Sequence, residues 1–83
     1  MLIRDPNKED GMSYGDGRTY KKIEVIGIST AGIEGAIQQA VGKAAKSVEG
    51  LSWFEVQEIR GHIDADGKVS EYQVVIKASF ELK

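Results

Sequence analysis

The chain has 83 residues, enough for one domain, and it contains no cysteine, which excludes disulfides and thiolate metal sites and leaves the redox compartment open. Eleven Lys and Arg against thirteen Asp and Glu give a formal net charge of -2, and nothing longer than Lys21-Lys22 supplies the basic patch that a nucleic-acid partner requires. Apolar runs of a few residues fall far short of the roughly 20 that span a bilayer, and the N-terminus lacks the apolar core of a signal peptide, so the expected location is the cytoplasm.

Residues 1–19, MLIRDPNKEDGMSYGDGRT, hold the only proline, three glycines and seven charged side chains, with no apolar periodicity. This composition reads as a flexible N-terminal extension, and Met12 is a candidate alternative start of translation. Gly11, Gly15 and Gly17 do not make a phosphate loop, because no strand precedes them and no helix follows directly.

The folded unit is expected over residues 20–83. YKKIEVIGI, from Tyr20 to Ile28, is β-branched and aromatic, with Ile23 and Val25 on one face and Lys22, Glu24 and Ile26 on the other, as in a strand. Ser29 or Thr30 then offers a side-chain oxygen to the free N–H groups of a helix start. Ile33, Ile37, Ala40, Val41, Ala44, Val48 and Leu51 recur at spacings of three and four, which gathers them into one helical stripe opposite Gln38, Gln39, Lys43, Lys46 and Glu49. Gly50 suits a left-handed C-cap, with Leu51 folding back on the last turn.

Strand character returns from Ser52 to Asp64, and Asp64-Ala65-Asp66-Gly67 provides the residues of a tight hairpin loop. In the third strand Tyr72, Val74, Ile76, Ala78, Phe80 and Leu82 alternate without a break against Glu71, Gln73, Val75, Lys77, Ser79 and Glu81. The apolar set faces the helix. A helix between strands one and two makes a crossover, and the hairpin makes strands two and three antiparallel neighbours. The expected fold is α+β: a β-α-β-β unit with a three-stranded antiparallel sheet of order 1-3-2 partly wrapped around one helix.

Simple alternation then places Phe54 and Val56 inward on strand two, so Trp53, Ile59 and Ile63 point to the outer face unless a bulge shifts the register. Gln73 and Val75 point the same way. An apolar face edged by polar groups marks an interface or a ligand groove, and self-association is the economical reading for so small a core. Trp53 at a strand start fits a core or subunit contact as well as a ligand platform. Gln73, taken to lie within reach of that platform, offers a donor and an acceptor to the edge of a flat heterocycle, or is a solvated interface amide. Arg60 and His62 alternate with Ile59, Gly61 and Ile63 and suit either a polar strand edge or a ligand role. As the sole histidine, His62 lacks a second imidazole for a histidine metal site within one chain, so no metal is expected. Ser29, Ser47, Ser52, Ser70 and Ser79 show no nucleophile elbow, and no acid, base and nucleophile converge, so no enzyme is expected.

YKKIEVIGIS, a helix, LSWFEVQEIRGHI and then DGKVSEYQVVIKASFEL together resemble the dodecins, small flavin-binding proteins, along Tyr20 to Leu82. The combination W-F-E-V-x-E-x-R-G-H-I followed by Y-Q-V carries the resemblance; each piece alone is weak. It implies twelve subunits in a hollow homododecamer of cubic symmetry, in which the tryptophan matching Trp53 stacks on the flavin ring and two flavins lie between symmetry-related tryptophans. The glutamine matching Gln73 bonds the polar edge of the ring. The Arg-Gly-His segment matching Arg60 to His62 follows the pattern of bacterial members, which generally favour FMN, so the implied cofactor is FMN, or riboflavin or FAD, and a phosphate contact carries over to Arg60, whose guanidinium matches phosphate oxygens. The implied role is flavin storage and photoprotection. The N-terminal extension departs from the family pattern. The alternatives are an oligomeric module that binds another ligand, such as coenzyme A, or none, and a small flavoenzyme.

Overall fold

A computed structural model describes residues 17–83. Most of the expected N-terminal extension therefore lies outside the described residues. The elements are β1 (Thr19–Ser29), α1 (Ile33–Ser47), β2 (Leu51–Ile63) and β3 (Val69–Leu82). The sheet order is β1-β3-β2 with both pairings antiparallel, the α+β arrangement that the sequence implies. The longest and most regularly alternating strand takes the centre, where both of its edges find partners.

The β2-β3 hairpin is held by one side chain. Asp64 Oδ1 accepts from the N–H groups of Asp66 at 2.9 Å and Lys68 at 3.0 Å, while the Asp64 N–H donates to the Lys68 carbonyl at 2.8 Å. A short acidic residue before a glycine closes the loop by bonding its own backbone.

The helix differs from its expected form at both ends. Its N-cap is Gly32, with no side-chain cap, because Ser29 Oγ is used one turn earlier to accept from the Ala31 N–H at 3.0 Å. At the other end Val48 is already extended, and its N–H donates to the Ala44 carbonyl at 2.9 Å. Gly50 has the expected positive φ of 79° but uses it in the turn into β2. Leu51 opens β2 and packs against the core from there.

The buried stripe is also rotated. Ala36, Ala40 and Ala44 are its centre, Ile37 and Val41 flank the core, and Ile33 is exposed. The cause is Gly27 in β1: a Cβ there would collide with the Ala36 carbonyl oxygen and stand 3.0 Å from Ala40 Cβ. Helix and strand approach so closely that only small residues fit at the contact, and the larger ones close the flanks. With Val74, Ile76 and Ala78 of β3, these alanines form the core.

The helix packs on β1 and reaches β3. It leaves the same side of β2 bare, where Phe54 is 44%, Val56 41% and Ile59 53% exposed. The chain thus carries an apolar surplus on the helix side, where the helix is too narrow to cover β2.

Candidate functional site

Two extra residues in β2 decide what the open face of the sheet carries. The pairing of β2 with β3 shifts between Leu51 and Trp53 and again between Val56 and Glu58, leaving Ser52 and Gln57 as the inserted residues. The first shift lets Leu51 stand opposite Phe80 on the helix side while Trp53 stands opposite Ser79 on the open side. The second reverses the alternation beyond Val56. Ile59 therefore lies opposite Val74 on the helix side, which corrects its expected outward placement. In exchange Glu58, Arg60 and His62, opposite Val75, Gln73 and Glu71, come onto the open face. Ile63 ends the strand opposite Val69, 68% exposed.

One end of this face is aromatic. Trp53, 37% exposed, meets Tyr20 of β1 across the central strand, with ring centroids 4.8 Å apart and planes tilted by 48°. Such a tilted contact suits two ring quadrupoles and holds the indole in place. Beneath them lies Ser79, fully buried, whose hydroxyl has no hydrogen-bond partner among the described residues. Beside them the Lys22 ammonium of β1 pairs with the Glu55 carboxylate of β2 over the top of β3. The Lys22 hydrogen bond holds the Glu55 carboxyl below its ordinary value, with smaller help from Gln57, whose Nε2 donates to Glu55 Oε1 at 3.2 Å, and Lys77.

The other end is polar. Arg60 Nε donates to Gln73 Oε1 at 3.1 Å, Arg60 Nη1 bonds Glu58 Oε1 at 2.9 Å, and Gln73 Nε2 donates to Glu71 Oε2 at 2.8 Å. Arg60 thus spends donors on Gln73 and Glu58 within the chain. His62 neighbours Glu71 in the ladder, and its backbone carbonyl accepts from Ser70 Oγ at 3.3 Å.

All four expected site residues share the face, but in two clusters. Trp53 is paired with Ser79 and Arg60 with Gln73, so six residue steps along β3, about 20 Å at strand spacing, separate the indole from the amide. Gln73 is not within reach of Trp53 in one chain, which corrects that expectation; a ring that touches both takes them from different copies. Sequence reasoning also missed Tyr20 and Glu71 as neighbours of the two clusters. Tyr20 becomes legible once Lys22 is set opposite Ser79, because residues two apart share a face, but that register is itself tertiary. Among the described residues no group of three or more His, Asp or Glu gathers as a metal site, and no helix is long and apolar enough to cross a membrane.

A one-helix β-α-β-β sheet that displays an aromatic platform and a held amide on its open face defines the class of small protein to which this chain is compared. The sequence profile of the Dodecin family matches residues 19–83. A dodecin of Thermus thermophilus is 51% identical over 67 residues, covering 81% of this chain and 96% of that protein. The crystal structure of an arginine-to-alanine variant of the Thermus thermophilus dodecin superposes with a TM-score of 0.75 over 81% of this chain and 97% of that one. The dodecin of Streptomyces coelicolor, 39% identical, superposes with a TM-score of 0.76 over 83% of this chain and 97% of that one. The chain belongs to the dodecin family.

Proposed function

We propose that this protein binds a flavin, FMN or riboflavin, and stores and protects it from light without turning over a substrate, as a cytoplasmic homododecamer whose binding unit is residues 20–83, with residues 1–19 as an extension. The observation that carries the reading is Trp53, partly exposed on the open face that also bears a hydrogen-bonded Gln73. Family membership supports both the ligand class and the association of copies. The bare side of β2 and the distance between Trp53 and Gln73 support sites built from more than one copy.

The residues fit a flavin. Trp53 offers a flat apolar surface steadied by Tyr20 on one side. Gln73 offers a donor and an acceptor for the polar edge of a heterocycle. Arg60 is the cation at that end, and with His62 it is the proposed neighbour of a ligand phosphate; to reach one, Arg60 must share a guanidinium already bonded to Gln73 and Glu58. A bound flavin supplies a ring that absorbs visible light and becomes a strong oxidant when excited. Trp53 would be the oxidisable side chain beside such a ring, able to give one electron to the excited flavin and recover it, which would end the excitation as heat with nothing consumed.

The test is a titration of FMN and riboflavin with the purified protein. Flavin emission is expected to fall steeply at micromolar protein, and Trp53→Ala is expected to weaken binding at least tenfold, the loss of a stacked aromatic contact, and to restore emission of the flavin that still binds. Unchanged emission with the native protein would overturn the reading.

A further inference from the structure

We infer that Glu71 is a positioning residue for ligand recognition: by accepting from Gln73 Nε2 while Arg60 donates to Gln73 Oε1, it fixes which way the Gln73 amide points and so which ring edge the protein selects. The inference rests on the flavin-binding reading above.

The argument starts from the near symmetry of an amide. Its oxygen and nitrogen ends have almost the same shape, so packing alone does not choose between them. Here charge chooses. Gln73 Oε1 faces the Arg60 guanidinium at 3.1 Å, and Nε2 faces the Glu71 carboxylate at 2.8 Å. Reversing the amide would set N–H against a group that only donates and C=O against a group that only accepts, losing two charge-assisted hydrogen bonds together. Gln73 is half-buried on the central strand, which limits its other rotamers.

One orientation has a chemical consequence. After these two bonds the amide keeps one N–H on Nε2 and one lone pair on Oε1. That pair matches a planar edge on which a ring N–H stands beside a carbonyl, as in the imide edge of an isoalloxazine: Oε1 accepts from the ring N–H and Nε2 donates to the carbonyl. A freely flipping amide would meet such an edge correctly only part of the time, and the bound state would have to order it. Arg60 and Glu71 do that ordering before the ligand arrives. Arg60 reaches Gln73 only because the inserted Gln57 turns it onto this face.

The experiment compares riboflavin with riboflavin methylated at N3, which lacks the edge N–H, against the native protein, Glu71→Gln, Gln73→Ala and the double variant, each checked for unchanged assembly by light scattering. The native protein is expected to prefer riboflavin. Glu71→Gln, nearly isosteric, is expected to bind riboflavin about tenfold more weakly, the scale of one charge-assisted bond, while binding of the methylated ring changes far less, so the preference shrinks. In the Gln73→Ala background, Glu71→Gln is expected to have no further effect, because Glu71 acts through Gln73. Equal weakening for both ligands, additive losses in the double variant, or an unchanged preference in Glu71→Gln would overturn the inference while leaving flavin binding intact. Failure of the native protein to bind either ring overturns the functional reading and this inference with it.

Discussion

The two strands that flank β3 share a partner and a sheet, yet they meet different fates. On β1, Gly27 brings the helix backbone close, and Ile23 and Val25 pack beneath it. On β2, Phe54, Val56 and Ile59 point to the same side of the sheet and stay exposed. One amphipathic helix covers roughly two strands at the usual spacings, about 10 Å of helix against strands about 4.8 Å apart. The third strand is left over. The lesson is that Ile23 and Val25 on the helix side of β1 hold the chain's own fold, whereas Phe54, Val56 and Ile59 on the same side of β2 are left uncovered by it.

That contrast can be broken by substitution, and the largest effect is expected on the β1 side. Gly27→Ala sets a methyl group against the Ala36 carbonyl, and backbone on both sides must move apart. The loss should be about 3 kcal/mol or more, at the upper end for overpacking, seen as a fall in the urea midpoint. A shift below about 0.5 kcal/mol would mean that helix and strand are not so tightly apposed. On the β2 side, Val56→Asp should act differently. The carboxylate is tolerated in a single chain, where residue 56 meets water, but an unpaired charge in an apolar contact between copies costs several kcal/mol. Light scattering should report small species at micromolar concentration with the circular dichroism of the helix retained. An unchanged mass would remove β2 from the interface.

The smallest effect concerns the ion pair of Lys22 and Glu55, which ties β1 to β2. Lys22 lowers the Glu55 carboxyl in the folded chain, so the pair adds stability above the ordinary carboxylate value, and that stability is lost as pH falls through the lowered one. Both groups are well exposed, which keeps the contribution small. Lys22→Met should lower the neutral plateau of a plot of stability against pH slightly and flatten its acid limb, so that the two curves converge at low pH. Parallel acid limbs in the two proteins would show that the pair does not couple the flanking strands.

Much of the chain was legible beforehand. The unbroken alternation of Tyr72 to Leu82 assigned the two faces of β3, the helix and hairpin then forced the order 1-3-2, and Trp53 and Gln73 fell on the open side. Those features depend on period and on local turn chemistry, which are written in consecutive residues. The helix stripe was legible in period but not in phase, because Ala36 becomes central only through contact with Gly27, nine residues away in another element.

By itself, then, the sequence determined the elements, their order, the inner and outer sets of β3 and the types of residue offered to a ligand. Only the tertiary structure decided where β2 slips. The run from Trp53 to Ile63 alternates acceptably in either phase, so nothing local says that Gln57 is the inserted residue; pairing with β3 settles it, and with it the arrival of Arg60 and His62 beside Gln73. The tertiary structure alone also separated Trp53 from Gln73 along one face, since distance along a sheet depends on register between strands that are far apart in sequence.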